Sequence, residues 1–294
     1  MQKVVTHSGN YHPDDVFAVA ALQLNFGKEN IEIIRSREDD VIDSADWVVD
    51  VGEVYDVERK RFDHHQKGAP VRANGISYAA FGLVWKELGE SLAGSKEVAD
   101  YIDEKLVQPV DAGDNGHSLY TLHDHSVRPF ELFSVINSFK PVWGSDEVYD
   151  SSFLLAVDFA RDLLARMIKS GVANFEMAQY ADSVYEAAAD KTILIFDKPV
   201  YRHYCVKFPD TKAIIFSSDS GETLRWKAEV IPTGYESFDD RCSFPEAWGG
   251  LREDELSEIS GIEEAIFCHK GRHLFVAKTK EGAIQAARQV TCLA

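Results

Sequence analysis

Apolar positions along the chain follow two different periods, and the places where the period changes predict its elements. Residues 2–6 (QKVVT), IEIIRS and DWVVDVG are short apolar runs. A parallel strand covered on both faces needs such a run, because it has no polar side to show. Between them, DVFAVAALQLNF repeats its apolar residues at helical spacing. Asp14 and Asp15 lie near its start, where carboxylates oppose the positive end of the helix dipole. RKRFDHH reads as an edge or partner strand, and SYAAFGLVWKEL and SKEVADYIDEKLVQPVDAGDNG read as helices. This order predicts an α/β domain over residues 1–150, with a mainly parallel sheet and helices on both faces.

Residues 151–190 are almost continuously helical in pattern and predict a helical connector, with Gly171 as the point where it could break. From Thr192 the pattern shortens to strands: TILIFD, YRHYCVKF, AIIFSS and TLRWKAEVIP. A helix (REDELSEI), two strands (AIFCHK and HLFVAKT) and a last helix (KEGAIQAARQV) follow. Residues 191–294 are therefore expected to form a smaller α+β domain with a mainly antiparallel sheet.

Composition narrows this picture. A chain of 294 residues favours two domains over one, and 45% hydrophobic with 27% charged residues is ordinary for a globular protein. No apolar run approaches a membrane span, and the start, MQKVVTHSG, enters a strand with no room for a signal peptide. The four cysteines (Cys205, Cys242, Cys268 and Cys292) are widely spaced without a CxxC pair. They read as free thiols, and the expected location is the cytoplasm. A net charge of −18 opposes electrostatic capture of long nucleic acid, which needs a basic surface. It leaves room for a small anionic substrate, since bound divalent cations reverse the field around clustered carboxylates.

The polar residues at the element boundaries carry the chemistry. His7, His12, Asp14 and Asp15 fall in THSGNYHPDD, and Asp50 ends WVVD. Asp63-His64-His65-Gln66 follows Arg61-Phe62, and Asp111 and Asp114 lie in PVDAGDNG. His7 and Asp50 each come just after a strand-like run, and parallel sheets bind ligands at the carboxyl ends of their strands. Histidines and carboxylates without cysteine suit Mn²⁺ or Mg²⁺ better than structural zinc. Each cluster also has a plainer reading. His12-Pro13-Asp14-Asp15 can be a helix N-cap with Pro in the first turn, Asp50 a strand-end turn residue, and Asp111 and Asp114 a solvated loop. Four clusters within the first 116 residues favour a metal site over four coincidences.

The order HxGxxHxDD, VVDVG, DHHQ, VDAxDNG resembles the DHH phosphoesterase superfamily. More closely it resembles the melanocyte-proliferating-gene family of metal-dependent exonuclease-like proteins. The likeness covers nearly the whole chain and continues through SFDDRCSFPEAWGGLREDELSEISGIEEAIFCH and TKEGAIQAA. It implies two divalent ions, usually manganese. His7, His12 and Asp14 would ligate from the first motif, Asp50 would bridge, and His64 and Asp111 would complete the set. His65 would sit beside the attacking water, with Asp63 orienting the neighbouring imidazole and Asp114 at the catalytic centre. The superfamily opens with His and then Asp-x-Asp, whereas His12-Pro13-Asp14 stands here. Either His12 replaces an Asp or Asp15 is the true ligand.

The implied activity is attack of an activated water on a phosphodiester, as an exonuclease on short RNA or DNA. Hydrolysis of a small phosphate compound, such as a dinucleotide, nucleotide or pyrophosphate, is the alternative. A binding protein that keeps the fold without turnover is the reading of a different class. Arg241, Arg252, His269 and Lys278 are the candidate phosphate-gripping cations of the second domain. The family's Gly-Gly run near the last strand is absent, since residues 272–277 read RHLFVA. His117, His123 and His125 are expected in a polar loop near the site mouth, and Trp143 in the core. The oligomeric state is left open by the sequence.

Overall fold

The computed structural model describes residues 1–123, 127–219, 224–235 and 237–292. His125 lies outside the described residues. The chain divides into two compact units, Met1–Ala173 and Asn174–Ala294.

In the first unit β1 (Gln2–Thr6) leads through a polar loop into α1 (Pro13–Phe26). Next come β2 (Ile31–Arg35), α2 (Asp39–Asp43), β3 (Trp47–Val49), β4 (Tyr55–Asp56) and β5 (Arg61–Phe62). The sheet order is β2-β1-β3-β5-β4. All pairings are parallel except β4 with β5, which is antiparallel. RKRFDHH therefore supplies an inner strand. Trp47 and Phe62, on neighbouring strands, stack with centroids 5.4 Å apart, and Phe62 is fully buried. α3 (Ala80–Ala93) packs on α1 through Phe81 and Phe17. Helix then runs through α4 (Lys96–Ile102), a π turn over Asp103–Val107, and α5 (Gln108–Asp114). The wider turn precedes Pro109, which has no N–H to close an ordinary helical bond. α6 (Leu132–Asn137) follows.

α7 (Tyr149–Ala187) is one continuous helix, without the break expected at Gly171. Gly171 serves packing instead: a β-carbon there would lie 3.1 Å from Val98 Cγ1 on α4. The boundary between the two units, at residues 173 and 174, falls inside this helix.

The second unit holds β6 (Ile193–Phe196), β7 (Ala213–Asp219), β8 (Leu224–Val230) and β9 (Cys242–Ser243). These are followed by α8 (Glu253–Ser260), β10 (Ala265–Cys268), β11 (Leu274–Ala277), α9 (Lys280–Ala287) and β12 (Thr291–Cys292). Its main sheet runs β10-β11-β8-β7-β6, antiparallel except for β6 beside β7. YRHYCVKF is not the expected strand. Arg202–Cys205 is a 3-10 turn, and Cys205 and Phe208, three residues apart, both enter a core cluster with Leu194 and Ile214.

The cysteine reading also needs correction. β9 and β12 pair antiparallel with Cys242 opposite Cys292, and the two form a disulfide across 50 residues of sequence. Only Cys205 and Cys268 are free, and burial pushes their thiols up to about 12 and about 11. Thiol titration in denaturant without reductant is expected to find two of the four cysteines, and all four after reduction.

Candidate metal centre

The carboxyl ends of β1, β3 and β5 and the facing ends of α1 and α5 bring the polar clusters together. His7 follows β1 directly and is buried. α1 begins at Pro13, whose fixed φ and missing N–H suit the first helical position. The His12 N–H donates to Asp15 Oδ1 at 2.9 Å. The segment is thus a helix N-terminus, as its plainer reading expects, and the same turn holds two fully buried carboxylates: Asp15 by the capping bond and Asp14 by the Ala80 N–H at 3.4 Å.

Asp50 closes β3 with φ +57°, a left-handed backbone that Asp tolerates better than most residues. Its N–H donates to the Phe62 carbonyl at 3.1 Å, tying it to β5. Asp63 follows β5. Its Oδ1 accepts from the backbone N–H groups of His64 (2.7 Å) and His65 (3.1 Å), and its Oδ2 accepts from the Glu53 N–H (2.7 Å). The same Oδ1 lies 2.7 Å from His65 Nδ1. Asp63 thus sets the turn and orients the half-exposed His65 ring, while His64 turns inward.

Three groups of ligand atoms result, each with its members within 4.8 Å: His7, Asp15 and Asp50; Asp50, His64 and His65; His12, Asp14 and Asp114. Asp50 belongs to two of them. His7 Nε2 lies 3.2 Å from both Asp15 Oδ2 and Asp50 Oδ2. His64 Nε2 lies 3.3 Å from both Asp50 Oδ1 and Asp114 Oδ2, and 3.7 Å from Asp14 Oδ2. Asp14, Asp15 and His12 all face this space, so the structure does not choose among them. Asn10 Nδ2 steadies His12 at 3.2 Å from Nε2.

Despite these close approaches, Asp14 Oδ1, Asp15 Oδ2, Asp50 Oδ1 and His64 Nε2 are buried without a well-aligned hydrogen bond. Buried polar atoms without partners are costly. Four of them converging, all from metal-ligating residue types, fit divalent cations. The charges fit as well. Burial lowers the His7 and His64 pKa values, but the carboxylates of Asp15 and Asp50 around His7, and of Asp114 and Asp50 around His64, outweigh it and raise both to about 10. Burial works against the Asp50 charge too, but His64 and His7 hold it ionised, at about 2. Burial, with the charges of Asp50 and Asp114 beside it, pushes Asp14 well above the usual carboxylate range.

A pH dependence follows. The two imidazoles must lose protons to ligate, so divalent-ion affinity is expected to rise with pH up to about 10. Calorimetry in buffers of different ionisation enthalpy should read the released protons. The metal-free protein shows the opposite trend. Stability from the charged imidazoles is full below about pH 6.5 and is lost as pH rises through about 10.

Asp111 does not join the cluster. Arg72 Nη1 donates to its Oδ2 at 2.6 Å and the Gly82 N–H to its Oδ1 at 3.0 Å. Asp114, one turn later at the end of α5, faces His64 and His12 instead. Asp114 faces the clustered histidines, whereas the expected ligand Asp111 anchors α5 to α3 through the Gly82 N–H and to the loop before α3 through the buried Arg72 ion pair. Gly82 is required there, because a β-carbon would lie 1.8 Å from Asp111 Oδ2. Gly82→Ala is expected to cost about 2–3 kcal/mol in urea unfolding, the size of an overpacked core site.

The expected substrate cations are placed differently. The Arg241 guanidinium is consumed by the carbonyls of Val206, Phe208 and Thr211, a structural role. Lys278 pairs with Glu264 at 3.5 Å. Arg252 stacks on Phe267, and His269 packs beside His273 with ring centroids 4.2 Å apart. Trp143, expected in the core, is 99% exposed in the turn between α6 and α7. His117 and His123 are exposed and join none of the ligand groups.

The ligand groups open into a cleft of about 540 Å³ lined by His7, Asn10, His12, Arg37, Asp39, Ile42, Asp50, Val51, Gly52, Glu53, Asp63 and His65. A larger cavity, about 980 Å³, is lined by Val110, His117, Leu122, Arg128 and Phe133 among others and holds none of the clustered ligands. No helix of the described residues is long and apolar enough to cross a membrane.

Comparison with known proteins agrees with the motif order. The MYG1_exonuc family, described as an uncharacterised protein family (UPF0160), matches residues 3–290. A MYG1 protein of Chlamydia pneumoniae is 32% identical, covering 98% of this chain and 96% of its own. A MYG1 protein of Schizosaccharomyces pombe is 29% identical over 98% and 96%. A protein of Homo sapiens named MYG1 exonuclease is 28% identical over 97% and 85%. Among solved structures, the pGpG-specific phosphodiesterase PggH from Vibrio cholerae aligns over 94% of this chain and 92% of its own. Its TM-score is 0.31 at 12% identity, too slight a likeness to carry an argument.

Proposed function

The chain belongs to the MYG1_exonuc family, and from that premise and the site geometry we propose that it is a metal-dependent phosphodiesterase of the DHH type, cleaving short RNA or DNA from an end. The observation that carries the reading is that Asp50 is shared by two buried groups of ligand atoms, with His7 on one side and His64 on the other. The relatives named exonucleases support the substrate class. His7, Asp15 and Asp50 would hold one divalent ion, and Asp14, Asp114 and His64 a second, with His12 at its edge and Asp50 between them. Mn²⁺ is the preferred ion for this donor set, with Mg²⁺ able to substitute. When bound, such a pair lowers the pKa of a water and offsets charge on the phosphate oxygens.

The chain's own residues do the rest. His65, held through Nδ1 by Asp63, lines the cleft, where its ring can hydrogen-bond the attacking water or a phosphate oxygen. Asp63 keeps that ring oriented through both protonation states. Val51 and Ile42 give the cleft an apolar wall that limits bulk water. A volume of about 540 Å³ accommodates a chain end or a dinucleotide.

The test is a substrate panel with Mn²⁺: labelled single-stranded oligonucleotides, dinucleotides and pyrophosphate. Shortening of oligonucleotides from one end supports the proposal. Activity confined to dinucleotides or pyrophosphate moves the assignment to a small-phosphate hydrolase. No turnover on any of them, with ions bound, leaves the binding-protein reading.

A further inference from the structure

Among the residues lining the metal cleft, Arg37 is the one Lys or Arg, and among the described residues no hydrogen bond or ion pair engages it. Its side chain is exposed and uncommitted. Glu38, Asp39, Asp40 and Asp43 follow within six residues, and Asp39 lines the same cleft, yet none pairs with it.

The backbone on both sides of Arg37 is pinned. Arg35, whose side chain is 2% exposed, donates to Asp150 Oδ1 (3.0 Å) and the Gly9 carbonyl (2.8 Å), with its guanidinium over the Phe153 ring at 4.5 Å. The Ser36 N–H donates to the Thr6 carbonyl at 2.8 Å, carrying the β1–β2 ladder one step further. Ser36 Oγ accepts from the Glu38 N–H at 3.1 Å, and α2 starts at Asp39. Arg37 is thus held at the carboxyl end of the sheet, one strand away from His7, with its guanidinium unspent. Acidic side chains nearby disfavour an extended polyanion, whereas a single phosphate can be gripped by one guanidinium fork.

We infer that Arg37 binds a phosphate group of the substrate other than the one being cleaved, so that the preferred substrate is a short nucleotide chain carrying a terminal phosphate. This rests on the phosphodiesterase reading above. Asn10, whose amide shares the cleft and already touches His12, would stand close to the scissile group.

The experiment compares wild type, Arg37→Ala and Arg37→Lys with Mn²⁺ on a dinucleotide with a terminal 5′-phosphate and the same dinucleotide without it. Nucleoside 5′-monophosphate binding is measured alongside by calorimetry. Wild type is expected to prefer the phosphorylated form through KM. Arg37→Ala should raise that KM and the monophosphate Kd by roughly 10- to 100-fold, the effect of one charge-assisted contact. It should leave kcat, Mn²⁺ stoichiometry and the unphosphorylated substrate nearly unchanged, with Arg37→Lys recovering part of the loss. Equal effects of Arg37→Ala on both dinucleotides, or none on either, overturn the inference while leaving the phosphodiesterase intact. A wild type that binds Mn²⁺ and cleaves neither dinucleotide nor any oligonucleotide overturns both.

Discussion

Asp50→Asn is expected to reduce hydrolysis by on the order of 10³-fold or more, the range seen when charge stabilisation at the reacting centre is lost. The substitution isolates the chemistry. Asn has nearly the volume of Asp and tolerates the left-handed backbone that Asp50 adopts at φ +57°, so the turn between β3 and the cleft should survive. What it loses is the carboxylate that faces His7 on one side and His64 on the other. Without it the proposed ion-holding groups have no common member. The metal-free variant carries a second signature. Asp50 helps raise the pKa of both imidazoles to about 10, so both should titrate lower in the variant, visible in histidine ring NMR. Unchanged histidine titration together with unchanged hydrolysis would contradict the assigned contacts.

The second large effect separates anchoring from ligation. Arg72→Leu is expected to cost about 3 kcal/mol in chemical unfolding, because it leaves Asp111 buried without its cation. Burial already pushes the Asp111 pKa up to about 7, with the Arg72 charge and the Gly82 N–H opposing it. Loss of Arg72 should raise it further. Arg72 also lies against the Tyr78 ring at 3.9 Å and reaches Asp103 at 3.0 Å, so several contacts go at once. Asp114→Asn should do the reverse: metal binding and activity fall steeply while the unfolding midpoint stays close to wild type. If Asp111→Asn abolished metal binding and Asp114→Asn did not, the placement of α5 in this account would be wrong.

Much of this was legible in the chain. The apolar runs at Gln2–Thr6 and Trp47–Val49 specify buried parallel strands, and the polar residues directly after them sit where such sheets place functional groups. The DHH triplet is local, so its division into an orienting Asp63, an inward His64 and an outward His65 follows from three consecutive positions. Asp111 and Asp114 were harder. They share one helix turn, and the choice between them depends on Arg72, 39 residues from Asp111, which no local pattern reveals. Arg241 was misread for a similar reason, since the carbonyls that occupy it lie 30 to 35 residues away. The Cys242–Cys292 pair likewise depends on a two-residue strand pairing across the whole C-terminal region. Arg37 sits in a short charged run, where an arginine ordinarily reads as solvated surface.

In the proposed centre Asp50 joins two groups of ligands around divalent metal. Metal analysis of purified wild type and Asp50→Asn after equilibration with Mn²⁺ tests it most directly. About two bound ions are expected per wild-type chain, with a loss of at least one in the variant. Wild-type protein that binds no Mn²⁺ or Mg²⁺, or a variant that retains the full wild-type complement, would contradict it.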